Sequence, residues 1–520
     1  MTLKEGKKPW SSDFFIIGIF AFLKLLLHLL ALKGFGYFRD ELYYIACSDH
    51  LGFGFVDQPP LSILLLKAVR LVFGDSTAAI RLLPALGGAL FVFLTGIITR
   101  ELGGKKFAVA FASAASLAAT GNFFIFHIFS MNFLDLLFWQ ACILIVIRII
   151  KTGNAKYWLL FGLTAGLGLQ NKISILFLCF GLSVGLLITR ERKHFKNKYF
   201  WLGLVLAGLL LLPYVLWNLS HGWPTVEFMD NARIYKMADV SPVGFFLGQI
   251  IFNNPVTVLI WLPGLAFLIF HQKGKRFRLF GWMFLSIYLL FTIQEAKSYY
   301  LAPAYPVLFA GGALLWEHWL KIGSRNVLKT VLVLWMTISA LVPLPITLPL
   351  LSAEKTVRYT RIFGGKVPSG ERHTLGALPQ HFADMFGWEK MAAVYGEIFQ
   401  NLSTEEQSRC VIYVRNYGEA GAVDFFGKKF GLPKATCAHN SYWFWGPGKE
   451  AKNSVYIIRG TEQSVEESYA DLSPYFDSVE YAATFTCTYC MPYENNNPIF
   501  ICWGFKGSLQ DIWEHEKHFE

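Results

Sequence analysis

Charge is what this sequence has least of. Only 16% of its 520 residues are charged, against about a quarter in an ordinary soluble protein. Low-complexity tracts and internal repeats are absent as well. The first absence removes disordered and fibrous classes. The second speaks against transporters built from symmetric halves. In place of charge the chain carries 54% hydrophobic residues, 48 of them Phe, and a mean hydropathy of +0.41. This is the composition of a membrane protein.

The formal net charge is +11, but the charge is unevenly placed. Residues 1–351 hold 31 Lys/Arg against 15 Asp/Glu, and residues 352–520 hold 16 against 21. The excess therefore belongs to the apolar part, where it marks membrane-facing loops, and a nucleic-acid partner is not implied. Two domains are expected: a membrane-embedded domain at 1–351 and a soluble one at 352–520, the latter long enough for a core of its own.

A spanning helix needs about 20 mostly apolar residues. Eleven stretches qualify, near 14–33, 76–99, 107–126, 131–150, 157–171, 173–189, 199–219, 246–270, 279–294, 300–320 and 330–351. Laid out in this order, 21 of the 31 basic residues of the front part fall on one side. They run from Lys4, Lys7 and Lys8 through Arg100, Lys105 and Lys106 to Lys321, Arg325 and Lys329. That is the alternation of the positive-inside rule. It predicts a cytoplasmic N-terminus and an extracytoplasmic C-terminal domain. Residues 14–33 lack the small-residue cleavage site of a secretory signal. Two long outer loops remain, 34–75 and 220–245; in the first, 39–49 and 60–73 have apolar residues at helical spacing and read as interfacial helices.

Eight cysteines are present. Cys142 and Cys179 lie in spans and Cys47 in the first outer loop, while Cys410, Cys437, Cys487, Cys490 and Cys502 lie in the outer domain. Five cannot all pair among themselves. Cys487-x-x-Cys490 is a redox or metal pattern, but one such pair without His ligands or a second pair reads better as a structural disulfide or free thiols.

The polar residues that are expensive in a membrane carry the functional reading. Asp135 sits inside the span 131–150, about a turn from its outer end. It is read as lining a cleft, with a buried bond to a neighbouring helix as the plain alternative. Asp40 and Glu41 open the first outer helix, where acidic residues also suit the helix dipole. Adjacent helical residues do not share a face, so one of the two is expected to point into a cleft. Lys297, with Tyr299 and Tyr300, lies at the outer end between two spans, and Arg233 and Lys236 lie in the second outer loop. Lys297 reads as a cation placed to meet a phosphate at headgroup depth, with Arg233 as a second; the alternative is snorkelling. Carboxylates and cations at outer span ends suit one site, where a carboxylate deprotonates an acceptor and cations stabilise a departing phosphate.

The segment Phe38-Arg39-Asp40-Glu41-Leu42-Tyr43-Tyr44, followed by Val56-Asp57-Gln58-Pro59-Pro60-Leu61, resembles the start of family-39-type glycosyltransferases. These include the protein O-mannosyltransferases and the aminoarabinose transferases of lipid A. Met131 to Trp139 is similar to their second acidic motif, and Lys297-Ser298-Tyr299-Tyr300-Leu301-Ala302-Pro303-Ala304-Tyr305-Pro306 to a segment of bacterial members. Asn416 to Ala422 and His439 to Gly448 are similar to outer-domain stretches of a bacterial subgroup. The resemblance implies the GT-C architecture: a polytopic α-helical membrane protein of about 11 spans, with interfacial helices and a C-terminal outer α/β domain. It further implies a bacterial plasma membrane location and inverting transfer of a sugar from a polyprenyl-phosphate donor. Asp40 then matches the base, Glu41 its neighbour, Asp135 the second acidic position, and Lys297 a phosphate contact beside Tyr299, Tyr300 and Asp57. Aminoarabinose transferases commonly carry Lys before the Pro-Pro; Gln58 stands there here, which leaves Lys297 or Arg233 to meet the phosphate. No outward cluster has metal-ligand spacing. The resemblance leaves a divalent ion between Asp40 and Asp135 open, while phosphate leaves well without one. The acceptor, whether lipid, protein or wall polymer, is not specified. Two other classes compete: a transporter or flippase of a lipid-linked or anionic substrate, and a structural or sensory membrane protein binding a wall polymer through Trp443 and Trp445.

Overall fold

The computed structural model describes residues 10–320, 325–365, 370–448 and 453–520. Lys4, Lys7, Lys8 and Lys321, used above for orientation, lie outside the described residues. The chain divides into two compact units, one of residues 1–32, 78–215 and 239–350, the other of 33–77, 216–238 and 351–520.

The first unit is helical. Among the described residues six helices are long and apolar enough to cross a membrane: Ser12–Ala31, Thr77–Glu101, Met131–Thr152, Lys198–Ser220, Lys275–Ile293 and Asn326–Thr347. Shorter apolar helices at Lys106–Ala118, Tyr157–Leu169 and Ile175–Ile188 occupy three further expected spans, and Tyr305–Trp319 another. Lys198–Ser220 turns Leu202, Leu204, Val205 and Leu209 outward, a surface suited to acyl chains rather than water. Elsewhere small residues replace side chains so that backbones meet. A Cβ on Gly264 would overlap the Leu308 carbonyl, and one on Gly312 the Ile260 carbonyl, so Val258–Phe270 lies directly on Tyr305–Trp319.

One expected span is not straight. Hydropathy predicts a single helix over 246–270, but Pro242–Phe252 and Pro255–Phe270 meet at a bend of 99°. Pro255 offers no N–H and disfavours the helical region for the residue before it. Asn254 accordingly takes φ +74°. Its side-chain amide donates to the Ala118 carbonyl at 3.3 Å and the Ser339 carbonyl at 3.1 Å, which anchors the break.

The second unit is α/β. A mixed five-stranded sheet runs in the order β2-β1-β3-β5-β4, with β1 Cys410–Tyr413, β2 Ala435–Thr436, β3 Val455–Arg459, β4 Phe476–Phe485 and β5 Asn497–Phe505. β1 is parallel to β2 and β3, and β5 is antiparallel to β3 and β4. Tyr456, Ile458, Phe476, Phe500 and Leu509 form part of the core beneath it. Both first-loop helices form, at Arg39–Asp49 and Leu61–Phe73. The first is buried over most of its length and packs on Tyr417–Phe426. The second turns Leu64, Leu71, Val72 and Phe73 outward, the apolar face expected at a membrane surface. Residues of the second outer loop also belong to this unit: Met237 bridges to Glu371, and the Arg372 N–H donates to the Lys236 carbonyl at 3.0 Å.

Candidate active site

The helix Arg39–Asp49 begins at Phe38, whose backbone is extended at φ −71° and ψ 146°. The first N–H groups of a helix have no partner within it. Here the Glu41 carboxylate turns back and accepts from the Phe38 N–H at 2.9 Å. Glu41 is therefore buried as a cap at the mouth of its own helix. Asp40 projects about 100° away, as consecutive helical residues must, and its side chain keeps 35% of its exposure. The Tyr417 hydroxyl donates to Asp40 Oδ1 at 3.0 Å, and Arg39 Nε lies 3.7 Å from the same oxygen. Both contacts engage Oδ1 and hold the carboxylate in place at a partly open position.

Tyr417 reaches Asp40 because of its helix start. The Asn416 side chain caps Tyr417–Phe426 by accepting from the Gly418 and Glu419 N–H groups, at 2.9 and 3.0 Å. A Cβ on Gly418 would lie 2.5 Å from Arg39 Cγ, and one on Gly421 2.8 Å from the Leu42 carbonyl carbon, so only glycine lets this helix lie on Arg39–Asp49. Glu419 is buried and paired with Arg459, which also holds Glu494 at 3.0 Å. Burial pushes the Tyr417 hydroxyl well above its ordinary range, opposed by Arg39 and reinforced by Asp40. Tyr417 thus stays protonated as a donor.

Asp57 is the second carboxylate of this cluster. Its Oδ1 accepts from the Tyr43 hydroxyl at 2.9 Å. That hydroxyl is also 2.7 Å from Ser441 Oγ, which in turn accepts the Val56 N–H at 3.1 Å. Tyr43 has a single proton, so its bond to Asp57 is tied to the orientation of the serine. Burial raises the Asp57 carboxyl to about 6; the Tyr43 bond opposes this, and the neighbouring charges of Asp40 and Lys236 act up and down respectively. Lys236 Nζ lies 5.7 Å from the Tyr417 ring centre and Arg39 Cζ 5.4 Å from it, two cations on one aromatic ring.

Arg39 ties this cluster to a second set of groups. It donates to the Tyr493 hydroxyl at 2.7 Å and lies 3.9 Å from Glu371 and 4.0 Å from Asp384. Burial alone would lower the Arg39 pKa; Asp384, Tyr417, Tyr493 and Glu371 hold it well above its ordinary value. Burial raises Asp384 to about 7 against the pull of Arg39. Arg233 is exposed. Gln58 is buried, its carbonyl oxygen accepting from the Ser62 hydroxyl at 3.3 Å. The cation beside the carboxylates is Lys236, three residues beyond Arg233.

In the first unit Asp135 is buried near the start of Met131–Thr152 and accepts from the Ser174 hydroxyl. The missed residue here is Lys172. Its ammonium donates to Asn132 Oδ1 at 2.7 Å and lies 5.2 Å from the Tyr300 ring centre and 5.6 Å from that of Tyr299. Lys297 opens the turn Ser298–Ala304 that carries both tyrosines. The structure thus brings Asp40 and Asp57 together around Tyr417 and Lys236 in one unit, and Asp135, Tyr299 and Tyr300 around Lys172 in the other. Tyr43, Tyr417 and Ser441 were not legible as site residues, because a tyrosine or serine carries no positional signal until the fold supplies its neighbour. Lys172 had one available signal: a lone charge in a break of three residues between two spans. Among the described residues no group of three or more His, Cys, Asp or Glu could hold a metal ion.

Residues 57–217 match the family model described as dolichyl-phosphate-mannose-protein mannosyltransferase. No curated protein matches the chain. Among solved structures, ArnT from Cupriavidus metallidurans in the apo state superposes with a TM-score of 0.61 at 14% identity, over 93% of this chain and 97% of that one. The same enzyme bound to undecaprenyl phosphate gives 0.60 at 14% identity, with the same coverage. A looser likeness, TM-score 0.47 at 13% identity over 82% of this chain and 65% of that one, is to the apo oligosaccharyltransferase of Archaeoglobus fulgidus. The matching family and ArnT are glycosyltransferases, and the multi-pass helical fold with a small C-terminal sheet is the GT-C fold expected above.

Proposed function

With a GT-C glycosyltransferase fold and a mannosyltransferase-family segment as the premise, we propose that this chain moves a sugar from a polyprenyl-phosphate donor to an acceptor at the outer face of a bacterial plasma membrane. The N-terminus is then cytoplasmic and the second unit extracytoplasmic, as the basic loops require. A polyprenyl-phosphate donor is supported by the fold shared with ArnT, which has been seen with undecaprenyl phosphate bound.

The observation that carries the proposal is the state of Asp40. One oxygen is fixed by Tyr417 and Arg39 while the side chain stays one-third open to solvent. A carboxylate held this way is a general base with a set direction. Oδ2 takes the proton of an acceptor hydroxyl or amine as that atom attacks the anomeric carbon. The polyprenyl phosphate leaves from the opposite face, so the configuration inverts. Arg39 holds the base, and Lys236, over the same Tyr417 ring, supplies positive charge for the departing phosphate. The cluster around Lys172 is a second place where a phosphate fits. Metal dependence is not part of the proposal.

The test is release of polyprenyl phosphate from a synthetic donor by the purified full-length chain. Asp40→Asn should lower the rate at least about 100-fold, the scale of general-base catalysis, with the protein still folded. Near wild-type turnover in that variant would sink the assignment. Movement of intact donor across vesicles without transfer would favour the flippase instead.

A further inference from the structure

Residues 486–491 connect β4 to the turn Pro492–Glu494 and carry Cys487 and Cys490, both free thiols. The two differ in access: Cys487 is half-buried and Cys490 buried. The Cys490 N–H donates to Cys487 Sγ at 3.2 Å, and the Cys490 thiol donates to the Cys487 carbonyl at 3.1 Å. Lys390, bonded to the Thr486 carbonyl at 2.7 Å, adds positive charge beside the outer sulfur. Hydrogen bonding from Cys490, with the Lys390 charge, brings the Cys487 thiol down to about 6 and drives its partner up. An accessible thiolate with a shielded thiol three residues on is the arrangement of an attacking and a resolving sulfur.

The same segment leads straight into the catalytic cluster of its unit. The Cys487 N–H donates to Asn495 Oδ1 at 2.7 Å. Between these anchors stand Tyr493, which receives Arg39 at 2.7 Å, and Glu494, which receives Arg459 at 3.0 Å. Closing a bond between the sulfurs takes the Cys490 thiol off the Cys487 carbonyl, within the same segment that carries Tyr493 to Arg39.

We propose that Cys487 and Cys490 form a thiol–disulfide exchange site whose redox state is transmitted through Tyr493 to Arg39 and Asp40. The co-reactant is a disulfide, R–S–S–R. The Cys487 thiolate attacks one of its sulfurs, forming a mixed disulfide and expelling one thiolate. Cys490 gives its proton to water and attacks Cys487, closing the internal disulfide and expelling the second thiolate. Two electrons pass from the dithiol to the co-reactant. The transmission rests on the proposed transferase reading; the exchange does not.

The experiment uses the full-length protein in lipid nanodiscs equilibrated with mixtures of reduced and oxidised glutathione, then acid-quenched and read by mass spectrometry. A 487–490 disulfide should appear along a two-electron curve. Alkylation of Cys487 by iodoacetamide should follow an ionisation near pH 6, and Cys490→Ser should accumulate the glutathione mixed disulfide. No internal disulfide at any ratio, or an alkylation midpoint near the ~8.5 of an ordinary thiol, overturns the site. Comparing glutathione disulfide with an oxidised thioredoxin-fold protein assigns the source, the faster reagent being the natural class. Polyprenyl phosphate release should differ about fivefold or more between oxidised and reduced protein, the lower end of inter-site couplings, and not in Cys487→Ser. Equal rates overturn the transmission. Absence of release in both states counts against the proposed transferase activity, and the titration by mass still decides the exchange.

Discussion

Asp40 and Glu41 are adjacent in sequence and chemically alike, yet their surroundings give them different work. Glu41 spends its carboxylate on the Phe38 N–H, whereas Asp40, held at Oδ1 by Tyr417, stays partly open to solvent. Removing the cap should cost about 0.5–2 kcal/mol of stability. Glu41→Ala should therefore lower the unfolding temperature measurably and reduce the rate moderately, while Asp40→Asn leaves the unfolding temperature near wild type and lowers the rate at least about 100-fold. If both substitutions abolish turnover with no change in melting, the division of labour is wrong. Asp57 allows a sharper test, because its carboxyl is raised from 3.8 to about 6. A carboxyl raised on folding binds its proton more tightly in the folded chain, so ionising it costs stability. That cost is absent at pH below the unfolded value and is reached in full once pH has risen past about 6. Asp57→Asn carries no charge at any pH. Its melting temperature relative to wild type should rise between pH 4 and pH 7 and then stay level; a pH-independent difference would refute the assignment.

At the scale of elements, the contact between Arg39–Asp49 and Tyr417–Phe426 decides the geometry around Asp40, the proposed base. Gly421 has no room for a methyl group, since a Cβ would fall 2.8 Å from the Leu42 carbonyl carbon. Gly421→Ala must push the helices apart, and overpacking of this kind costs about 1–3 kcal/mol. The Tyr417 bond to Asp40 lengthens with it. The expected outcome is a lower melting temperature together with a lower rate, measured on the same preparation. A variant that melts lower but turns over normally would show that the helix contact does not position Asp40. The bend at Asn254 is an element-scale departure from the straight span read at 246–270. Hydropathy reports how long an apolar run is, not whether the chain turns within it, although the Pro255 that turns it was there to be read.

At the scale of the molecule, orientation is the property to test. Cys437, in the second unit, is buried, so it is a poor reporter of sidedness. Ser478 on β4 is exposed. In a Cys487→Ser background, Ser478→Cys should react with a membrane-impermeant maleimide on intact cells. Labelling only after lysis would invert the proposed topology. The two-unit division also matters at this scale, because residues 33–77 and 216–238 group with residues 351–520. That is why Lys236, and not a residue of a long span, stands by the carboxylates.

The sequence alone determined the membrane class, the run of apolar helices, the acidic-basic split between the two ends of the chain, and the candidacy of Asp40 and Asp135. All of these follow from composition, run length and unusual placement of charge, which are local or additive properties. Only the tertiary structure decided that Tyr417, nearly four hundred residues from Asp40, orients its carboxylate; that Lys236 rather than Arg233 supplies the nearby charge; and that Lys172 sits against Tyr299 and Tyr300. Hydrogen bonds and ion pairs act over a few ångströms in space, and a linear pattern carries no record of which distant residues folding will bring within that reach.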